Sequence, residues 1–351
     1  MKNRSISGKV TVCAAITAVA LLFTGCTKYK IVAVEDSVAD SISTESSSVA
    51  AAAAAGSTDL PTSDILDADP FASTETAAKE TTAQASTAAA SSTAAADDRL
   101  QIVILGDSIF DSYRTPSGTA SLVAADLGAD VYNLAVGGST AAPKVGDSTD
   151  PKTWTEANFA GMANLLAGDT SASILDGHAA ADVYGTFDPS KTDYFIVEYG
   201  INDFLSSIPK DPDMVSGDTA IYSYRGALET GINCLMNYFP NAKVILMTPG
   251  YTQFWNNGNM IGDCNTIDRG YGKLIDYISS GVNLAQTMGI PYINSYEDVD
   301  ITGYSASDCL IDGIHPTEEG CRRYAAAIEK KIRGLEDEKN GTTATTSTTQ
   351  N

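Results

Sequence analysis

The stretch Gln101-Ile102-Val103-Ile104-Leu105-Gly106-Asp107-Ser108 decides the fold. Its continuous run of large apolar side chains is typical of a β-strand that is covered on both faces. Gly106 then allows a sharp turn of the backbone, which puts Ser108 at the head of the following helical segment. The stretch therefore predicts a buried parallel strand that ends in a polar motif.

Similar short apolar runs recur along the chain and alternate with helical patterns. The further predicted strands are Val131–Val136, Tyr194–Tyr199, Val244–Met247 and Pro291–Ile293. The predicted helices are Gly118–Leu127, Glu156–Ala167, Ile221–Tyr238, Ile267–Met288 and Thr317–Arg333. Alternating strands and helices favour parallel pairing with right-handed crossovers, and hence an α/β fold. We expect a three-layer α/β/α sandwich, flavodoxin-like, around a central, mainly parallel sheet of five strands, with ligands at the carboxyl ends of the strands.

Composition divides the chain of 351 residues into segments. Residues 27–98 are dominated by Ala, Ser and Thr, with too few large apolar side chains to offset the entropy of ordering, which predicts a disordered linker. Residues 336–351 have the same character and are predicted to be a disordered tail. The remaining residues 99–335 have the size of one ordinary domain.

The N-terminus has the pattern of an export signal. Lys2, Arg4 and Lys9 precede an apolar run from Val10 to Phe23, which is short for a membrane span. The following Leu22-Phe23-Thr24-Gly25-Cys26 resembles a bacterial lipobox, which implies that residues 1–26 end in a lipidated Cys26. We expect an extracytoplasmic lipoprotein of the bacterial cell membrane, which touches the membrane only through this anchor. Plain secretion, with Cys26 incidental, is the alternative.

Charge and histidine content limit the partners and cofactors. The net charge of −22 argues against nucleic acid or an anionic membrane face as a partner of the domain. Only two histidines are present and no C-x-x-C pair occurs, which argues against a zinc site. We expect neither a metal nor a cofactor.

Four cysteines fall within the predicted domain, which an exported protein could join in up to two disulfides with three possible connectivities. They are Cys234, Cys264, Cys309 and Cys321. Pairing of Cys264 with Cys309 is favoured, because both are predicted on loops near the edge of the sheet that carries the motifs.

The run Leu310-Ile311-Asp312-Gly313-Ile314-His315-Pro316 supplies a candidate base. Asp312 can reach Nδ1 of the His315 ring, which leaves Nε2 free to accept a proton. Pro316 favours an extended backbone at His315, and the predicted helix follows at once. Together with Ser108, these residues are the minimum set for acyl transfer.

Two further motifs follow predicted strands. Gly137 and Gly138 come after the second strand and can point an N–H outward, while Asn202 comes after the third and offers a side-chain N–H₂. Such donors suit a developing oxyanion. Taken singly, Ser108, the glycine pair and Asn202 each also fit an ordinary turn or helix cap.

Together these four runs resemble the conserved blocks of the SGNH, or GDSL, hydrolases across about residues 100–334. The resemblance implies that Ser108 is the nucleophile, His315 the base and Asp312 its orienting acid. It also implies an oxyanion hole made by the N–H groups of Ser108 and Gly138 and the side chain of Asn202. Gly138 is preferred to Gly137 because the family places its glycine directly before the small or polar pair matched here by Ser139-Thr140.

The family implies a carboxylic ester hydrolase that works through an acyl-serine intermediate. The leading hypothesis is removal of acetyl or another small acyl group from a cell-surface or extracellular glycan. The alternatives are a lysophospholipase or lipolytic esterase, a glycan O-acyltransferase, and a non-catalytic surface-binding lipoprotein. Three aromatic residues on the loop after the fourth strand, Tyr251, Phe254 and Trp255, are candidates to stack against a sugar ring or line an acyl pocket; the alternative is that they fold back onto the domain. His178 is predicted to be a surface or structural residue.

Overall fold

The computed structural model describes residues 99–144, 148–215 and 220–341. The predicted signal segment with Cys26, all of the predicted linker 27–98, and residues 342–351 of the predicted tail lie outside these ranges. Within them, no helix is both long and apolar enough to cross a membrane.

In the part of the chain that the structure describes, seven strands form two sheets. They are β1 (Gln101–Gly106), β2 (Asp130–Asn133), β3 (Tyr194–Glu198), β4 (Lys243–Met247), β5 (Gln253–Asn256), β6 (Asn259–Asp263) and β7 (Tyr292–Ile293). The main sheet has the order β2-β1-β3-β4-β7, and all its neighbouring strands are parallel. The prediction of a parallel five-stranded sheet is confirmed, and the stretch quoted first is the strand β1 inside it.

Helices cover the sheet. They are α1 (Ser108–Asp111), α2 (Thr119–Leu127), α3 (Phe159–Leu166), α4 (Ala180–Val183), α5 (Ile201–Leu205), α6 (Tyr224–Tyr238), α7 (Leu274–Met288), α8 (Ser295–Asp298), α9 (Ala306–Cys309) and α10 (Glu318–Lys339). Helix α2 packs against α10, and α6 packs against both α3 and α7. These two groups of helices are the outer layers of the predicted α/β/α sandwich.

The core lies where the central strands meet the helices. All side chains of Ile102–Leu105 in β1 are fully buried, and every residue of β3 is buried. Burial of such apolar side chains is the main stabilising contribution to a domain of this kind. One residue of β3 is charged rather than apolar: Glu198, at the carboxyl end of the strand, is a fully buried acid. This acid lies directly below the candidate site.

Three segments differ from the prediction. Residues 267–273 are not helical, because Gly270 and Gly272 adopt φ values of 100° and 105°, and α7 starts only at Leu274. The aromatic loop after β4 contains the antiparallel hairpin β5–β6. Helix α10 continues to Lys339, so the first residues of the predicted tail are helical.

The predicted pairing of Cys264 with Cys309 is wrong, since both side chains are free thiols. Each is buried in a different environment. The Cys264 N–H donates to the carbonyl of Thr252 beside the hairpin, whereas the Cys309 carbonyl accepts from Thr317 at the start of α10. Burial also raises the pKa of the Cys264 thiol to about 11, which keeps it protonated and unreactive at neutral pH.

Candidate active site

Ser108 stands at the carboxyl end of β1, as the first residue of α1. The preceding Asp107 is the N-cap of this helix, and its carboxylate accepts the Ile109 N–H at 3.0 Å. This cap satisfies a backbone donor that the short helix would leave without a partner, and it fixes the start of α1. Ser108 is therefore held on a rigid turn at the edge of the sheet.

The predicted base and its acid meet the serine. His315 Nε2 lies 2.9 Å from Ser108 Oγ, and His315 Nδ1 lies 2.6 Å from Asp312 Oδ2. Because a carboxylate can only accept, the proton belongs on Nδ1, and Nε2 is left to accept from the serine hydroxyl. The other oxygen of Asp312 accepts the N–H groups of Ile314 and His315 at 2.9 and 2.8 Å.

These contacts set the charges of the pair. Partial burial raises the pKa of Asp312, but the hydrogen bonds from the His315 ring and from the two N–H groups lower it more strongly, to about 2. The hydrogen bond to Asp312 raises the pKa of His315 above its ordinary 6.5, against the opposing effect of burial. Asp312 is thus charged at all physiological pH values, and it favours the protonated ring that proton transfer from Ser108 would create.

The segment that carries His315 is fixed at both ends. Gly313 has a φ of 92° and accepts the Gln253 N–H at 2.8 Å, so close that a Cβ atom there would lie 2.3 Å from the Gln253 carbonyl. Only glycine fits this position. On the other side, Thr317 caps α10 by accepting the Gly320 N–H at 3.2 Å. The hairpin and α10 together hold the imidazole over Ser108.

The glycine loop after β2 presents one free donor. The Gly137 N–H donates to Asp111 Oδ2 at 2.8 Å, whereas none of the described residues accepts the N–H of Gly138. Gly138 is exposed and has a φ of 77°. This difference between the two glycines supports the choice of Gly138 as the backbone donor.

Asn202 reaches the same place from β3. Its Nδ2 donates to the Ser139 carbonyl at 2.9 Å and to Asp107 Oδ2 at 3.2 Å. Gly200, two residues earlier, has a φ of 134°, and a Cβ atom there would lie 2.8 Å from both Pro249 and Tyr224. The tight turn at Gly200 thus directs Asn202 towards the serine. The longer contact, with Asp107, is the one that a substrate oxyanion can displace.

Two groups that the sequence did not single out brace the glycine loop. Arg114 donates to Asp111 at 2.6 Å and to the carbonyls of Asn133 and Ala135 at 2.9 and 2.6 Å. This network holds Asp111 against Gly137. The local spacing of Asp111 and Arg114, three residues apart after the serine, is a weak sequence signal that could have indicated an ion pair.

On the other side of the loop, the buried Asp203 accepts the N–H groups of Ala141 and Ala142 at 2.8 and 3.1 Å. Burial raises the pKa of Asp203 to about 7, against the effect of these hydrogen bonds. Nothing in the sequence separates this carboxyl from an ordinary helix cap. The described residues contain no group of three or more His, Cys, Asp or Glu side chains that could hold a metal ion.

The three aromatic residues that were candidates for substrate contact differ in their exposure. Tyr251 and Phe254 are each only 8% exposed, and Phe254 packs on Phe204 in the core with ring centroids 5.5 Å apart. These two side chains therefore offer no face to a substrate, and their prediction as contacts is wrong. Trp255 is 49% exposed, and its indole lies against Gly313 beside the base. The difference follows from the hairpin, since neighbouring strand residues point to opposite faces.

A cavity of about 630 Å³ opens beside the glycine loop. Gly138 and Ser139 line it, with Ile174, Ile208 and His178 among its other walls. His178 is exposed, as predicted for a surface residue, and lies on the rim of this cavity rather than at the triad. Neither Ser108 nor any of the residues 310–316 that carry the base lines the cavity, which adjoins the site at the glycine loop.

The fold and the serine-centred triad geometry define an α/β/α hydrolase. The family model of the GDSL-like lipase/acylhydrolases matches residues 102–328, which include all the motif residues described above. The chain belongs to this family, as its four motifs predicted. No curated protein is significantly similar to the chain.

Several solved structures are similar to the chain. One crystal structure is 21% identical, with a TM-score of 0.50, and the match covers 68% of this chain and 97% of that one. A possible lipase from Chitinophaga pinensis is 17% identical, with a TM-score of 0.47 and coverages of 68% and 99%. A lipase/acylhydrolase from Enterococcus faecalis is 18% identical, with a TM-score of 0.40 and coverages of 67% and 96%. The first of these likenesses, at 21% identity, concerns the fold alone.

Proposed function

We propose that the protein is a serine esterase, which hydrolyses carboxylic esters through an acyl intermediate on Ser108. The observation that carries the proposal is the continuous chain of contacts from Asp312 through His315 to Ser108, at 2.6 and 2.9 Å. A serine hydroxyl becomes an effective nucleophile only when a base accepts its proton, and this chain provides an oriented base.

The proposed reaction has two halves. His315 Nε2 takes the hydroxyl proton while Ser108 Oγ attacks the ester carbonyl, and the N–H groups of Ser108, Gly138 and Asn202 stabilise the oxyanion. The alcohol leaves with the proton from His315. Water then attacks the acyl-serine, again with His315 as base, and releases the acid and free Ser108. Asp312 stays ionised throughout and stabilises the imidazolium.

The position of His315 indicates where the alcohol part of the ester substrate lies. The leaving oxygen must lie near His315 Nε2 to receive its proton, so the alcohol extends over the Gly313 segment towards Trp255. An exposed indole beside the leaving group is suited to stack on a sugar ring. This placement supports the more specific proposal that the substrate is an acylated glycan, with acetyl or another small group removed.

The proposed location follows from the N-terminal sequence. A lipid on Cys26, followed by the Ala/Ser/Thr-rich segment 27–98, would tether the domain at the outer side of a bacterial cell membrane. Glycans of the envelope or its surroundings are then within reach.

A second candidate, a lipolytic esterase, is favoured by one observation. The 630 Å³ cavity is lined by the oxyanion donor Gly138 and has Ile174 and Ile208 in its walls, so an acyl group whose carbonyl oxygen binds at Gly138 lies next to it. An acetyl group would leave most of this volume empty, whereas a longer acyl chain would fill it.

One set of assays tests the function and separates the candidates. Acetate release from acetylated xylan, peptidoglycan and acetylated sugars is measured beside hydrolysis of p-nitrophenyl esters of increasing chain length. Ser108→Ala should abolish all turnover with unchanged thermal melting, and substantial residual turnover would refute the esterase proposal. Activity confined to long acyl chains would refute the glycan proposal in favour of the lipolytic one.

Trp255 gives a second, independent readout. Trp255→Ala should raise KM for acetylated glycans and leave KM for methyl acetate, whose leaving alcohol is too small to reach the indole, nearly unchanged, while Trp255→Phe should behave close to wild type on both. Equal effects of the alanine variant on both kinds of substrate would contradict a sugar-stacking role. Met260→Ala, at the position paired with Trp255 in the hairpin, is the matched control for disturbance of the hairpin itself.

A further inference from the structure

The carboxyl group of Glu198 is buried without a hydrogen-bond donor from the described part of the chain to stabilise its charge. Glu198 ends β3, paired with Gly106 of β1, and is fully buried. Neither of its oxygens receives a hydrogen bond from an N–H or O–H donor of the described residues. A buried carboxylate without a donor is costly, and such groups call for a specific explanation.

The explanation lies in its neighbour. The Glu198 carboxyl is in hydrogen-bonding contact with the carboxyl of Asp107, the N-cap of the helix that begins with Ser108. Asp107 is fully buried as well. Ionised carboxyl oxygens only accept, so a hydrogen bond between two carboxyl groups requires a proton on one of them. The pair therefore carries one proton and one negative charge.

The hydrogen bonds show which partner holds the proton. Asp107 accepts the Ile109 N–H at 3.0 Å and the Asn202 side chain at 3.2 Å, and both contacts favour its ionised form. Glu198 has no such donor. Burial, followed by the charge of Asp107, raises the pKa of Glu198 well above its ordinary value. Glu198 is then the protonated partner that donates, and Asp107 the charged one.

The surroundings offer no compensation for a second charge. The titratable groups that interact with the pair are Asp203 on α5, Tyr199 after β3, Tyr224 on α6, Tyr324 on α10, and His315 on the side of Asp107. Of these, only His315 can become a cation, and it acts on Asp107. Loss of the shared proton would leave two adjacent, buried negative charges below Ser108.

We propose that Glu198 is a positioning residue, whose carboxyl proton, donated to Asp107, keeps Asp107 in place both to cap the Ser108 helix and to hold the side chain of Asn202 in position until the substrate oxyanion takes over its N–H. Glu198 touches neither the substrate nor the reacting atoms, and it acts through Asp107 alone. The proton shared by Glu198 and Asp107 thus keeps both the Ser108 hydroxyl and the Asn202 side chain aligned. This role rests on the esterase function proposed above.

A dependence on alkaline pH follows. When the pair loses its proton, repulsion between the two carboxylates displaces Asp107, and with it Ser108 and Asn202. The loss concerns alignment in the transition state, so kcat should fall at alkaline pH with little change in KM. This fall of kcat at alkaline pH is separate from the fall of activity at acid pH, which protonation of His315 causes.

Two variants and one spectrum test the proposal. Glu198→Gln keeps a donor to Asp107 that cannot ionise, so it should keep kcat near wild type at neutral pH and extend activity to higher pH. Glu198→Leu removes the donor and should lower kcat by up to about 100-fold, since a small misplacement of a reacting group has effects of this size. The infrared difference spectrum at neutral pH, wild type minus Glu198→Gln, should show a protonated-carboxyl C=O band, because the contribution of Asp203 is common to both proteins and cancels.

The outcomes distinguish this proposal from the esterase function. If Ser108→Ala is inactive but the difference spectrum shows no protonated-carboxyl band, Glu198 is not protonated and the positioning role is refuted alone. An unchanged alkaline limb in Glu198→Gln would refute it too. The spectrum and the glutamine variant remain decisive even if the leucine variant does not fold. Full turnover by Ser108→Ala would instead refute the esterase function itself.

Discussion

Replacement of Asp312 by asparagine separates its charge from its shape. Asparagine keeps an oxygen that can accept the N–H groups of Ile314 and His315, now 2.9 and 2.8 Å from Asp312. It loses the charged contact of 2.6 Å to His315 Nδ1. In serine triads this change lowers kcat by about 10⁴-fold. The Asp312 side chain is 50% exposed, so water can replace part of its effect. We therefore expect a fall of about 10²- to 10³-fold, or roughly 2.7–4 kcal/mol.

The same change should move the pH profile. Only the neutral imidazole can act as base, so activity rises as the pH passes the pKa of His315, which Asp312 raises above 6.5. Without the charge of Asp312 this pKa falls, and the acid limb should shift to lower pH although the maximum rate is smaller. The measurement is kcat/KM for p-nitrophenyl acetate against pH. An unmoved acid limb, or a variant that keeps more than about a tenth of the wild-type kcat, would refute the assigned role.

Three further predictions concern the oxyanion hole, the core and stability. Asn202→Ala should lower kcat by about 10²- to 10³-fold with little change in KM, and a change confined to KM would contradict it. Gly231→Ala in α6 should cost about 1–3 kcal/mol in denaturant unfolding, because its Cβ would lie 2.4 Å from the Phe159 ring, whereas Gly334→Ala, with open space around it, should not destabilise. Burial raises the pKa of Asp203 to about 7 from 3.8, so the folded state binds more protons between these values, and Tm should fall, not rise, as pH increases from about 5 to 7.

Local signals were enough for most of the fold and for the triad. The run Ile102–Leu105 is apolar along its whole length, and such a strand has few alternatives to the centre of a parallel sheet. Asp312 and His315 lie three residues apart, so one turn of chain sets their contact. Because parallel strands end at one edge, Ser108 and Asn202 were expected at the same place.

The hairpin β5–β6 was missed, although a signal was present. Asn257 and Gly258 have φ values of 49° and 76°, and Asn-Gly is the strongest short hairpin signal in a sequence. The same hairpin decides which aromatic side chain is exposed, so the error in Phe254 followed from it.

The contact between the buried acids Glu198 and Asp107 could not be predicted from sequence patterns. Glu198 belongs to a strand that is otherwise apolar, and its environment is made by Asp107, which lies 91 positions away in the chain. Whether a buried carboxyl meets a donor, a cation or another carboxyl depends on packing between distant segments. Sequence patterns alone carry no such information for a single chain.

The central claim is that Ser108 is the nucleophile and that His315 activates it. A fluorophosphonate probe tests this directly, because it reacts covalently with an activated serine, and mass spectrometry of the digested protein locates the adduct. The account predicts one adduct on Ser108, no labelling of Ser108→Ala and strongly slowed labelling of His315→Ala. Labelling at another residue, or a His315→Ala variant that is labelled as fast as the wild type, would contradict it.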